Sequence, residues 1–330
     1  MGWKTLAIEG CDLTGEGAIG RIGGVLLQAP HSRHGDKVFF CAHGRRHWVT
    51  DATWLAEHGF RWPEDVQQVS AAVLDAFLPG QNAARAWNDT DWSAPPRNSV
   101  LTMREIAVSC LRGSGIEIGA GTNPMPVPLN CRVRYVDVYD ADELRQHIYA
   151  GQSLPDLIEP DIVAPFEDLS VIPDFSVDFV VACHVIEHTR DPIGAIAGAW
   201  HKLRPGGIVA LVVPEITRTF DRHRALTKLE HLVEDHVNPD ASRLRDQEHF
   251  REFYALAFPT PPEAYEATWR AKWEAAYPIH YHTWTHESFG EMVRWMDENA
   301  IIEGVEVWSQ PPLDDPVECN EFWYTMRKAR

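Results

Sequence analysis

Residues 116–121 read Ile-Glu-Ile-Gly-Ala-Gly, and the chain then turns at Asn123-Pro124. A short apolar run delivers one acid, Glu117, beside two glycines. Gly119 and Gly121 can take positive φ and carry no Cβ, so a ligand can approach the backbone closely. Sixteen residues after Gly121 stands Asp137, at the end of a second apolar run, Val133-Arg134-Tyr135-Val136. An acid at the tip of a neighbouring strand suits a ribose diol. A G-x-G pair alone is usually only a turn, so the segments after it decide the fold.

Val177-Asp178-Phe179-Val180-Val181-Ala182-Cys183 is a nearly continuous apolar run, as a strand buried on both faces requires. It leads into His184-Val185-Ile186-Glu187-His188. Pro192 to Leu203 has alanines and apolar residues at helical spacing, and Arg204-Pro205-Gly206-Gly207 reads as a helix stop and tight turn. Ile208 to Val213 is another buried strand, ended by Pro214-Glu215. Alternating strands and helices predict an α/β domain with a parallel sheet.

The order E-I-G-A-G, Y-V-D, D-F-V-V-A-C-H-V-I-E-H, L-R-P-G-G resembles the class I S-adenosylmethionine (SAM) dependent methyltransferases. It is most similar to the small-molecule group with L-E-H after the fourth strand and K-P-G-G before the fifth. The resemblance covers about residues 100–330. Segments 218–232 (RTFDRHRALTKLEHL), 249–253 (HFREF) and 280–285 (HYHTWT) resemble a bacterial subfamily often found near, or fused to, glycosyltransferases.

The resemblance implies a doubly wound, seven-stranded Rossmann-like domain with a helical lid, and SAM as cofactor, leaving S-adenosyl-L-homocysteine. It assigns Gly119, Ala120, Gly121 and Asn123 to the cofactor loop, Glu117 to orienting the loop or the amino group, and Asp137 to the ribose hydroxyls. The family's adenine-contacting acid follows the third strand, Asp161-Ile162-Val163. Here Pro165 holds that place, so Phe166 would pack on the ring and Glu167 is the nearest acid. His188 lies where related enzymes place a catalytic histidine, and an imidazole can take a proton at neutral pH. A helix-capping histidine bonded to backbone is the alternative. His184 is both a further catalytic candidate and a residue that would touch the cofactor through its backbone. His231, His280 and His282 are further catalytic candidates, expected above the cleft; His280, His282 and Trp284 would share one face of an extended segment. The expected reaction is methylation of an oxygen, in preference to a nitrogen, on a sugar or other polar small molecule.

Composition bounds the alternatives. A formal net charge of −18 repels nucleic-acid phosphates. Six scattered cysteines without a C-x-x-C, no signal-peptide pattern and no run long enough to span a membrane predict a reduced cytoplasmic protein. Four rival readings stay open. His184-x-x-Glu187-His188 fits the H-x-x-E-H of inverted zincins, although Asp191-Pro192 interrupts any long helix. Mg²⁺ or another ion could assist by orienting a diol, with Asp221, Glu230, Asp235 and several histidines offered by the lid, although no metal ligand set is assigned. The chain could bind SAM without catalysis. An NAD-type dehydrogenase would need a third glycine where Pro124 stands.

The domain boundary is expected near residue 95, after the polar, Pro95-Pro96-bearing stretch 86–98. Residues 1–95 would form a small α+β module, with a hairpin through Val38–Ala42 and His47–Val49, a helix from Thr53 to His58, and another within Pro63–Leu78. The module reads either as a structural cap or dimerisation element, leaving a homodimer open, or as a recognition domain for a glycan or carrier. Residues 96–330 would form the catalytic domain, with the lid inserted at about 215–280. The lid aromatics, Phe250, Phe253, Tyr254, Phe258, Tyr265, Trp269 and Trp273, fit either an internal core or a pocket lining. Thr285 is expected to cap a helix through Asn299, and Ile301–Trp308 with Glu321–Met326 to close the sheet as an antiparallel pair.

Overall fold

The computed structural model describes residues 24–30, 32–42, 45–50, 52–80, 102–128, 131–152, 154, 156–313 and 319–329. The expected turn at His43-Gly44, the linker 86–98 and the boundary near 95 lie at least partly outside them. The chain divides into two units, residues 1–90 with 156–159, and residues 91–155 with 160–330.

In the first unit, β1 (Val25–Gln28), β2 (Val38–Ala42), β3 (Arg45–Trp48), β4 (Val66–Gln68) and β5 (Leu78–Pro79) form a sheet in the order β4-β1-β2-β3-β5. Helices α1 (Ala52–Glu57) and α2 (Ala71–Asp75) are short. Alternation along the central strands builds two apolar faces. Val25, Leu27, Phe39 and Cys41 pack with Leu74, while Phe40 meets Trp54 and Phe60 with ring centroids 5.3 and 5.9 Å apart. The stretch from Pro63 to Leu78 holds only the five-residue α2, because Val66–Gln68 pairs in parallel with β1.

The second unit opens with α3 (Met103–Val108), followed by β6 (Ser114–Ile118) and β7 (Arg132–Asp137). A single turn, α4 (Ala141–Glu143), widens into a π turn before β8 (Ile162–Val163), β9 (Val177–Cys183), α5 (Pro192–Lys202) and β10 (Leu203–Pro214). Helices α6 (Leu229–Val237), α7 (Pro239–Glu252) and α8 (Pro262–Glu274) stand between β10 and α9 (His286–Glu298). Strands β11 (Glu306–Gln310) and β12 (Glu321–Arg327) close the domain.

The sheet runs β11-β12-β10-β9-β6-β7-β8, parallel except for β12, which is antiparallel to both neighbours. The order reverses between β6 and β9, so their carboxyl ends part and open a crevice. That reversal sets Gly119 and His184 at the two lips.

Helix α5 buries Ile193, Ile196 and Trp200, and α9 buries Phe289, Met292 and Met296, in one core with the strand residues Ile116, Val180 and Leu211. The apolar spacing in α9 follows the helical repeat, and its start is fixed by a capping box between Thr285 and Ser288. Strand β10 begins earlier than expected. Leu203 already pairs with Val177, and the chain bulges through Pro205-Gly206-Gly207 before Ile208 pairs with Phe179. Gly206 takes φ +79°, which allows the bulge inside one strand.

Gly115 marks the tightest point of the sheet. A Cβ there would lie 2.3 Å from Phe179 Cδ2 and 2.4 Å from the Phe179 carbonyl oxygen. Gly115→Ala therefore forces the central strands apart. The expected cost is about 1–3 kcal/mol or more, read as a lower urea midpoint at unchanged m-value.

The lid aromatics resolve mainly as a core of their own. Phe250, Phe253, Tyr254 and Trp269 pack with Ile279 and Tyr281, supported by Tyr265, Trp273 and Tyr277. Phe258 stays exposed. Among the described residues no helix is long and apolar enough to cross a membrane. The described cysteines, Cys41, Cys110, Cys131, Cys183 and Cys319, are all free thiols.

Candidate active site

The crevice holds a cavity of about 290 Å³. One wall comes from the strand ends, with Ile118, Gly119, Asp137, Ala164, Phe166 and His188. The other is the turn after α8, with Ala276, Tyr277, Pro278 and Tyr281. A second cavity of about 400 Å³ shares Tyr139, Ile148 and the Ala276–Pro278 turn with the first. The segment after α8 thus roofs the crevice.

Gly119 has φ +66° and Gly121 φ +53°, backbone that disfavours any side chain. A Cβ on Gly119 would lie 2.6 Å from Val185 Cγ2, and one on Gly121 would lie 2.6 Å from Tyr149 Oη. The loop folds back so that the Met125 amide donates to Glu117 Oε1 at 2.7 Å. Glu117 is buried, its Oε2 has no partner, and burial pushes its pKa up to about 8. Ala120 is buried and Asn123 exposed, and neither lines the cavity.

Asp137 ends β7 at the cavity, and among the described residues its carboxylate accepts only the Val138 amide, at 2.8 Å. Burial raises its pKa to about 6, with that hydrogen bond opposing. Phe166 is buried against the cavity. Glu167 accepts from the backbone amides of Arg190 and Asp191, tying the β8 turn to the β9 turn.

After β9 the backbone turns sharply. His184 takes φ +54°, a left-handed conformation uncommon outside glycine but tolerated by histidine. Its Nε2 lies 2.9 Å from Glu321 Oε2, and Arg104 grips the same carboxylate at 2.8 and 2.7 Å. His184 is therefore bound towards β12 and does not line the cavity.

His188 ends a one-turn 3₁₀ helix, Ile186–His188. Its Nδ1 lies 2.9 Å from the Ile279 carbonyl. A carbonyl only accepts, so Nδ1 carries the proton and Nε2 keeps a lone pair. The ring lines the cavity, and burial lowers its pKa. The backbone-bonded histidine and the cavity-facing histidine are the same side chain.

His280, His282 and His231 do not line the cavity. His280 sets Nδ1 2.6 Å from Asp221 Oδ2, with its ring 4.8 Å from His188. His282 turns instead to His231 and His249, with ring centroids at 5.5 and 5.6 Å. His280 and His282 thus part company, and only His282 approaches Trp284, at 5.8 Å. His231 pairs with Asp235 at 3.1 Å.

The inverted-zincin geometry is absent: it needs both histidines of H-x-x-E-H on one helical face, but His184 follows β9 and the 3₁₀ helix Ile186–His188 is only three residues long. The lid acids do not converge either. Asp221 is held by Arg224 and His280, Asp235 by Arg245 and His231, and Glu230 is exposed.

The sequence reading missed Tyr149, Arg190, Tyr277 and Tyr281. Arg190 sits two residues past His188, forks onto Asp246 at 2.7 and 2.9 Å, and lies 4.9 Å from the Tyr281 ring. Proximity to the E-H pair was the only sequence signal for it.

A family profile described as a methyltransferase domain matches residues 94–294, more than half of the 330-residue chain. The chain belongs to this methyltransferase-domain family. No curated protein sequence matches it. Among solved structures, a SAM-dependent methyltransferase from Thermotoga maritima is 17% identical, with 69% of this chain and 88% of that chain covered and a TM-score of 0.37. A Rhodobacter sphaeroides protein described as a Zn-dependent alcohol dehydrogenase is 14% identical over 72% and 93%, with a TM-score of 0.40. A SAM-dependent methyltransferase from Methanosarcina mazei is 13% identical over 66% and 92%, with a TM-score of 0.33. The family assignment rests on the sequence match alone.

S-adenosyl-L-methionine is the cofactor that the sequence resemblance implies, and the residues of the site fit that molecule. The Gly119 bend leaves a cradle that a Cβ would fill, Asp137 offers a carboxylate with one oxygen unengaged among the described residues, and Glu117 keeps an orphaned oxygen below the loop.

Proposed function

We propose that the methyltransferase methylates an oxygen, in preference to a nitrogen, of a sugar or similarly polar small molecule. The observation that carries this reading is His188, which lines the same cavity as Gly119 and whose tautomer leaves Nε2 with a lone pair. Bound S-adenosyl-L-methionine supplies a methyl group already activated on a sulfonium.

The protein's share is positioning and one proton. Asp137 accepts the ribose hydroxyls, Phe166 walls the adenine side, and Glu117 Oε2 accepts the amino group. The roof from Ala276 to Tyr281 excludes water. The acceptor oxygen would take that methyl group as the cofactor's carbon–sulfur bond is given up, and His188 Nε2 would take the hydroxyl proton. The small volume of the cavity and the strongly acidic chain favour a small neutral acceptor over a phosphate-bearing polymer. Incubation with a panel of sugars and amines, followed by mass spectrometry, tests the reading. O-methyl products with equimolar S-adenosyl-L-homocysteine support it. N-methyl products alone overturn the oxygen assignment, and cofactor binding without turnover on any acceptor revives the non-catalytic alternative.

The raised pKa values give a titration test. Both Asp137 and Glu117 must be ionised to serve these roles. In the free protein they are protonated below about pH 6 and about pH 8 respectively. Binding then requires each proton to leave, so Kd rises as pH falls through each value. Calorimetry from pH 5.5 to 9 should show two steps. Asp137→Asn should remove the lower step and Glu117→Gln the upper; a flat profile contradicts both assignments.

A further inference from the structure

Glu187 is completely buried, and neither carboxylate oxygen has a hydrogen-bond partner. Such a group carries a heavy desolvation cost unless a cation compensates it. The groups around it are histidines, each with its other ring nitrogen already engaged. His280 Nε2 lies 3.8 Å from Glu187 Oε1, while its Nδ1 is held by Asp221 at 2.6 Å. His188 is held at Nδ1 by the Ile279 carbonyl, leaving Nε2. Asp221 is itself fixed by Arg224, which also donates to the carbonyls of His280 and Tyr281. Histidines tied at one nitrogen to a carboxylate or carbonyl, with the other nitrogen free beside an orphaned carboxylate, are the arrangement of metal ligands and their outer partners.

We propose that Glu187, His188 and His280 bind one divalent ion of the zinc–cobalt class. Two imidazoles and one carboxylate select such ions over Mg²⁺, which prefers oxygen ligands. The three ligand atoms lie within 4.8 Å of one another. Bonds near 2.1 Å in a tetrahedral set place ligand atoms roughly 3.4 Å apart, so the rings draw in slightly around the ion. Of the three ligands, His188 lines the cavity.

The inference rests on the methyl-transfer reading for its purpose. With the ion bound, His188 Nε2 serves as its ligand in place of taking the hydroxyl proton, and an acceptor hydroxyl held in the ion's open position loses its proton to solvent more readily. The bond changes at the methyl carbon are unchanged.

The untagged full chain, stripped with a chelator, is titrated with Co²⁺ and with Mg²⁺ by calorimetry and visible absorption. One equivalent of Co²⁺ with intense tetrahedral d–d bands is expected, and no Mg²⁺ binding. Glu187→Gln and His280→Gln should weaken Co²⁺ binding at least about 100-fold, and Asp221→Asn about 10–100-fold. Thermal melts identify variants that remain folded. Asp235→Asn disrupts a different histidine–carboxylate group, His231–Asp235–His282, and should leave binding unchanged. No Co²⁺ bands, or loss that follows Asp235 instead of Glu187, overturns the site. If Co²⁺ fails to bind while S-adenosyl-L-homocysteine still forms, the site falls and the methyl-transfer reading stands. If Co²⁺ binds but no acceptor is ever methylated, the site stands and its purpose falls.

Discussion

His188→Ala lowers turnover by about 10²–10⁴-fold, the range a positioned acid–base group supplies, and leaves SAM affinity nearly intact. The ring reaches the cavity at the end of the β9 turn, away from the Gly119 cradle and Asp137. The loss falls on kcat because Nε2 is the group at the reacting end, whether it takes the proton itself or holds an ion that acidifies the acceptor. His188→Gln separates chemistry from placement. Its amide can still donate to the Ile279 carbonyl, which otherwise loses its partner, but it offers no basic lone pair. Low turnover with an unchanged melting temperature assigns the effect to chemistry. Undiminished turnover in both variants removes His188 from its role.

Asp137→Ala acts at the other end of the cavity and on the other kinetic constant. A ribose offers two hydroxyls, and hydrogen bonds to a charged group contribute about 1.5–3 kcal/mol each. Loss of one bond raises the SAM Kd about 10–150-fold, and loss of both raises it by a larger factor. Turnover at saturating SAM changes far less. The fold should not suffer. Burial lifts the Asp137 pKa from 3.8 to about 6. Its contribution to stability is therefore present below pH 4 and lost as pH rises through about 6, so at pH 7 the ionised carboxylate is a net cost. Asp137→Ala should melt no earlier than the parent at pH 7. A lower melting temperature with unchanged SAM affinity would make Asp137 a structural acid.

The sheet was legible where burial on both faces writes an unbroken apolar run. Val177–Cys183 was read from its residues with the bounds it has in the structure. Strand β10 was read short because Pro205-Gly206-Gly207 ordinarily ends an element, whereas here the glycines form a bulge that keeps Leu203 in register with Val177. The G-x-G loop showed itself because positive φ at Gly119 and Gly121 leaves few residue choices. The histidines were visible as residues but not as partners. His184 finds Glu321 137 positions away, and His188 finds the Ile279 carbonyl 91 positions away. Periodicity and spacing report on neighbours along a helix or strand, so contacts between a β9 turn and a roof inserted after β10 leave no local trace. For the same reason the sequence grouped His280 with His282, although one turns to Asp221 and the other to His231 and His249.

A crystal structure with S-adenosyl-L-homocysteine tests the central claim most directly. The expected result is a ribose with its hydroxyls on Asp137, a backbone bend at Gly119 against the ligand, and the sulfur facing the part of the cavity lined by His188. A ligand bound elsewhere with Asp137 turned to solvent, or a sulfur directed away from His188, would contradict it.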